Sequence, residues 1–229
     1  MAIADTPSIL FVAAEAREFA GLLKHAVSTR AIPSSAAFAR ETELNGARCI
    51  LIANGPGPRL VNLALDRDFP KRWNVQQVIS TGFCGALDPH LKIGDIVVSG
   101  APLPSAAGPY RHGEIWSIDE VAVTAVEKGQ LRNKTGASVV EMEFAAVQAK
   151  AREWGLPCRA IRVVSDTAAE DLPLNFNDYR DADGRFQFSR IAFSGLASPF
   201  RVLPALLRLD RNSKEASEKL GAFLADCQF

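Results

Sequence analysis

The chain has no surplus of either charge. Lys plus Arg and Asp plus Glu number 26 each in 229 residues. No basic face is implied, so nucleic acid is not expected as a partner. No apolar run approaches the length of a membrane span, and the N-terminus lacks a charged region followed by a long apolar core. Neither a membrane span nor a secretory signal is therefore expected. Histidine is scarce: His25, His90 and His112 lie far apart without ligand spacing, and no metal is expected. The four cysteines, Cys49, Cys84, Cys158 and Cys227, are scattered with no C-x-x-C pair. They read as free thiols in a reducing, cytoplasmic setting.

What the chain does have is enough length for one α/β domain over residues 1–229, with a core on both faces of a sheet. The most informative stretch is 137–171, which reads as strand, helix, strand. Val139 and Val140 belong to a short β-branched run. Residues 142–154 have helical periodicity, Gly155 falls at the C-cap position, and Pro157 blocks continuation. Residues 158–164 have the character of a buried strand. Such a unit is expected to be a right-handed crossover between parallel strands. That geometry puts Glu143 and Asp166 at one carboxyl edge of the sheet, where ligands of open α/β sheets bind.

Glu143, in a helix's first turn, can accept bonds from two neighbouring hydroxyls such as those of a ribose. Asp166 closes an apolar strand. At such a rim, beside another carboxylate, it is expected to hold a proton and supply it to a leaving group. Each also has a plainer reading. First-turn acids complement the helix dipole, and Asp166 can cap a helix, since Thr167 and Glu170 have capping-box spacing.

Elsewhere, 8–14 reads as the first parallel strand and 15–26 as a helix with Phe19, Leu22 and Leu23 inward. Strands over 36–41 and 48–53 suggest a hairpin around Asn45-Gly46. The glycines of 54–58 open a helix over 59–66, where Gly57 and Arg59 form a candidate anion site. A strand over 75–81 leads into a loop at 82–86, and 94–99 is a further strand. Residues 101–112 read as a loop rich in Pro, Gly and Ala. Residues 113–118 form a strand, and Asp119 caps a helix over 120–128. A loop over 172–184 precedes an apolar helical stretch, 185–209, broken around Ser198-Pro199. An amphipathic helix over 213–225 ends the chain.

The run Val140-Glu141-Met142-Glu143 followed by Ala145-Ala146, then Ile161 to Asp166, resembles the purine nucleoside phosphorylase and 5′-methylthioadenosine/S-adenosylhomocysteine nucleosidase superfamily. Thr81-Gly82-Phe83-Cys84-Gly85-Ala86-Leu87 is similar to its glycine loop, and 93–98 to the strand that follows it. The resemblance implies a three-layer α/β domain, with a mixed, mostly parallel sheet and helices on both faces. It also implies cleavage of the N-glycosidic bond of an adenosine-type, 5′-substituted purine nucleoside, without a cofactor and with water or phosphate as the attacking group. By resemblance, Glu143, Met142, Thr81, Gly82, Phe83 and Ser165 contact the substrate and Asp166 protonates the base. A glutamate at the start of the first helix orients water; Glu18 is the better match and Glu15 the second choice. Phosphorolysis would need positive charge, for which Arg17 and Arg59 are candidates, and Arg162 is expected as an ion-pair partner inside the site. A homo-oligomer is implied by resemblance only.

Residues 101–112 are shorter than the corresponding insertion in the nucleosidases, which leaves the 5′ side more open. The stretch around Asp181 to Arg185, with the two helices after it, is similar to a branch linked to hopanoid biosynthesis. A bulky apolar 5′ substituent would explain that opening. Two other classes remain: a nucleoside-binding protein without turnover, and an interaction domain on a reused scaffold.

Overall fold

A computed structural model describes residues 6–100, 103 and 108–229; most of the loop expected over 101–112 lies outside these residues. The first half contains β1 (Ser8–Ala13), α1 (Ala20–Leu23), β2 (Thr29–Ala31), β3 (Phe38–Leu44), β4 (Ala47–Ala53), α2 (Pro58–Ala64), α3 (Phe69–Trp73), β5 (Val75–Ala86) and β6 (Ile96–Gly100). The second half contains β7 (Arg111–His112), β8 (Ile115–Ser117), α4 (Ala125–Thr135), β9 (Val139–Glu141), α5 (Phe144–Trp154), β10 (Cys158–Asp166), α6 (Phe188–Ala197) and α7 (Val202–Asp226). One sheet joins the strands in the order β2-β3-β4-β1-β5-β10-β6-β7, with β8 and β9 attached beyond the far end of β5.

The centre of the sheet, β4-β1-β5-β10, is parallel. All six residues of β1 are buried, as a strand covered on both faces requires. Their side chains alternate between two cores. Phe11 meets Leu22 of α1 and Ala216, Leu220 and Phe223 of α7. Leu10 and Val12 meet Val61 of α2, Phe69 of α3 and Val147 of α5. This is the expected α/β architecture of three layers. Between β3 and β4, Asn45 and Gly46 both take positive φ, as a two-residue hairpin turn of primed type demands.

Four local expectations are corrected. Residues 82–86 are strand rather than loop, because β10 pairs with β5 as far as Gly85. β9 and β10 are not a parallel crossover pair: β9 lies antiparallel to β5, and β10 parallel to it. The two meet through Gly85, which is opposite Val140 on one side and Asp166 on the other. The helix after β8 is capped by Thr124, not Asp119. The Thr124 hydroxyl accepts from the Glu127 amide, and the Glu127 carboxylate accepts from the Thr124 amide. Finally, the break at Ser198-Pro199 is present, but everything after it is one 25-residue helix, α7.

α7 crosses α1 with backbone against backbone. A methyl group on Gly21 would stand 1.9 Å from the Ser217 carbonyl oxygen, and one on Gly221 would stand 2.1 Å from the Gly21 carbonyl carbon. The Gly21 amide donates to the Ser217 hydroxyl at 3.0 Å. This contact fixes the 3-10 turn Ala16–Phe19, which carries Glu18, against the rest of the molecule.

Candidate functional site

The turn after β1 places Glu18 beneath the sheet edge. Its carboxylate accepts the Phe83 amide at 2.6 Å and the Glu15 amide at 2.7 Å. The space it fills is the space a side chain on residue 82 would need: a Cβ there would come within 2.4 Å of Glu18 Oε1, and Gly82 holds φ +124. Only glycine fits. Burial pushes the Glu18 carboxyl up from its ordinary range; Arg162 and the two amide donors oppose this. Glu15, half-buried at the same corner, is pushed up to about 7 by burial and by the neighbouring Glu18 charge.

Glu141 and Glu143 flank the start of α5, and their tasks are divided. Glu141 accepts the amides of Glu143 and Phe144 at 2.9 Å, capping the helix. It also takes bonds from Ser117 and Arg162. Glu143 makes no side-chain cap. It instead accepts the Gly57 amide at 3.0 Å, and its other oxygen lies 3.6 Å from Arg162. The reading of Glu143 as a simple first-turn acid therefore does not hold. Burial, then the Glu141 charge, push its carboxyl well up, with Arg162 opposing. Arg162 is wholly buried on β10 and donates to the Thr81 carbonyl and the Ser80 hydroxyl, each at 2.8 Å. Burial works against its charge, but Glu141, Glu143 and Glu18 outweigh burial and hold it cationic.

Asp166 ends β10. The Ser165 hydroxyl reaches its Oδ1 at 2.9 Å. No helix follows it, so it caps none; Glu170 closes the 167–170 turn instead, accepting from the Thr167 amide and hydroxyl. The neighbour expected for Asp166 was a second carboxylate. The neighbour found is the ammonium of Lys128, 2.6 Å from Oδ2. Lys128 is fully buried, and it also donates to the carbonyls of Thr167 and Glu170 at 2.9 Å. All three of its hydrogens have an acceptor.

A cavity of about 570 Å³ connects these groups. Glu18, Glu143, Asp166, Ser165, Met142, Phe83 and Arg17 all line it, as does Glu15. Arg17 lies over the rings of Phe83 and Phe188, 5.9 and 5.3 Å from their centroids. Four other sequence candidates stand back from the wall. Thr81 is buried in β5, and Gly82 backs Glu18. Gly57 spends its amide on Glu143, and Arg59 pairs with Asp183 at 2.8 Å and with the Ala182 carbonyl. The opposite wall is apolar and comes from the last third of the chain: Phe186, Phe188 and Ile191 at α6, and Leu203, Leu206 and Leu207 at α7.

Sequence reasoning missed Lys128 and did not give Glu141 its separate task. The helical spacing of Lys128 and Leu131 was the one available sign that this lysine faces inward.

The chain matches a family model described as the phosphorylase superfamily over residues 8–103 and 102–188. Two curated relatives are 5′-methylthioadenosine/S-adenosylhomocysteine nucleosidases. That of Staphylococcus epidermidis is 27% identical, across 61% of this chain and 77% of its own length. That of Mycobacterium bovis is 24% identical, across 72% and 84%. A solved nucleosidase of the same name from Neisseria meningitidis, in complex with methylthio-immucillin-A, superimposes with a TM-score of 0.68 at 20% identity. It covers 96% of this chain and 97% of its own.

Proposed function

Because this chain belongs to the phosphorylase superfamily, we propose that it cleaves the N-glycosidic bond of an adenosine-type nucleoside with an apolar group at the 5′ position, releasing the base. The observation that carries this reading is the cavity itself. Three carboxylates from separate elements share one floor, and an apolar wall faces them.

Glu143 holds the ribose hydroxyls, and Glu18 favours the positive charge that develops on the sugar as the bond to the base lengthens. Glu18 orients water with oxygens already fixed by two backbone amides, so little reorganisation is needed at the moment of attack. Asp166 relays a proton from the Lys128 ammonium, which lies 2.6 Å from its carboxylate. That proton passes to a nitrogen of the departing base, so the base leaves neutral. One bond forms from the water oxygen to the anomeric carbon, the bond from that carbon to the base breaks, and the water's proton goes to Glu18. Ser165 steadies Asp166, while Met142 and Phe83 pack against sugar and base.

Water is preferred over phosphate because of where the cations lie. The Gly57 amide and Arg59 are engaged elsewhere, and Arg162 is sealed behind Glu141. Arg17 remains on the wall and supports the phosphorolytic reading. The test is a screen for base release over purine nucleosides with 5′ groups of increasing apolar size, with and without inorganic phosphate. Release without phosphate is expected, fastest with an apolar 5′ group. Strict phosphate dependence with formation of a sugar 1-phosphate would establish phosphorolysis, and binding without release would establish a silent binding protein.

A further inference from the structure

The apolar wall of the cavity continues outside it. Leu196 of α6 and Leu207 of α7 line the cavity and also stand mostly in solvent. Past them, at the tip of the hairpin between the two helices, Phe200 is 97% exposed, and Phe193 on α6 is 72% exposed. Neither phenylalanine belongs to the cavity lining. Exposed large apolar groups scattered singly need no explanation; a contiguous patch at a cavity mouth does.

Along the sequence of this hairpin the charge is one-sided. Residues 190–214 carry Arg190, Arg201, Arg208, Arg211 and Lys214 against Asp210 alone, in a chain whose formal net charge is zero. Lys214 pairs with Asp210 at 2.7 Å, so the four arginines carry the local excess. An apolar face rimmed by arginines is the composition of a helix pair that lies in the interface of an anionic bilayer. The same charge disfavours a second copy as the occupant. A two-fold interface through this face would set the four arginines of one protomer against the four of the other. Among the described residues no helix is long and apolar enough to cross a membrane, so docking would be at the surface.

We infer that the α6–α7 hairpin docks this protein on an anionic lipid surface, so that a nucleoside with an apolar 5′ group reaches the cavity from the bilayer side. The second clause rests on the function proposed above; the docking does not. The mouth between Leu196 and Leu207 would face the acyl region, while Glu18, Glu143 and Asp166 stay at the far end of the cavity.

The experiment is sedimentation of the full chain with vesicles of phosphatidylcholine alone and with phosphatidylglycerol added, alongside base release from a water-soluble nucleoside. Binding is expected to rise roughly tenfold or more with the anionic lipid and to fall with salt. Phe193→Ser with Phe200→Ser is expected to lower vesicle binding by about tenfold and to leave base release from the soluble nucleoside unchanged. Arg201→Ala with Arg208→Ala should weaken binding by a similar factor on anionic vesicles only. Absence of binding to either vesicle would overturn the inference. So would a concentration-dependent dimer that the phenylalanine variant dissolves. If vesicles bind but no nucleoside loses its base, the functional reading fails and the docking stands.

Discussion

Glu18, Glu143 and Asp166 each have an oxygen fixed by a hydrogen bond from another part of the chain: Phe83, Gly57 and Lys128 respectively. On the apolar side of the same cavity, Leu196, Leu203, Leu206 and Leu207 are held by packing and not by directed hydrogen bonds, and two of them face solvent. The floor is thus over-determined and the wall is not. Chemistry that needs sub-ångström placement sits where strands and turns converge. On the proposed reading, recognition of an apolar group, which needs area rather than direction, falls to the helical hairpin.

The comparison can be broken most severely at the floor. On the proposed reading Asp166→Asn removes the proton carrier while keeping the shape of the side chain, and base release is expected to fall by roughly 10³-fold with the fold intact. Stopped assays of free adenine together with circular dichroism check both halves. Lys128→Met leaves Asp166 without its ammonium partner, and a stability loss of about 3 kcal/mol in urea denaturation is expected. Gly21→Ala attacks the support under Glu18: the added methyl cannot coexist with the Ser217 carbonyl, and about 2–3 kcal/mol should be lost.

At the wall the expected effects are smaller and selective. Leu206→Ala should lower kcat/KM for nucleosides with a large apolar 5′ group by about tenfold and leave unsubstituted adenosine unaffected. An equal loss on both substrates would mean that floor and wall are coupled. The smallest effect concerns pH. The Glu15 carboxyl titrates at about 7 in the folded protein against an ordinary value of 4.5, so the native state binds the extra proton between those values. Its contribution is fully present below pH 4.5 and is lost as pH rises towards 7. Glu15→Gln should flatten that fall by roughly 1 kcal/mol, allowing for its partial exposure to solvent. A denaturation midpoint that varies with pH identically in both proteins would remove Glu15 from the account.

The floor was far more legible in the sequence than the wall. Glu143 and Asp166 follow strands at the ligand edge, and that placement can be deduced even though the strand directions assumed for it were wrong. The deduction survived because Gly85 of β5 has Val140 of β9 opposite it on one side and Asp166 of β10 on the other. The separate tasks of Glu141 and Glu143 were not legible. Both lie within reach of first-turn amides, and only the position of Gly57, 86 residues away, draws Glu143 off the helix. Lys128 was hidden for a different reason: its helix is polar in sequence, and such helices usually face water. The apolar stretch 185–209 was readable as helical. Its half-exposed state was not, because periodicity reports a face and not what covers it.

The clasp between Gly21 and Gly221 has a mechanical consequence. It anchors the later part of α7 to the turn bearing Glu18, while the first turns of the same helix, from Val202, reach over the cavity beside α6. α7 is therefore a cantilever with its clamp at the reacting end and its free arm at the mouth. The cavity wall is thus carried by the stretch of α7 farthest along the helix from the clamp that holds the turn bearing Glu18.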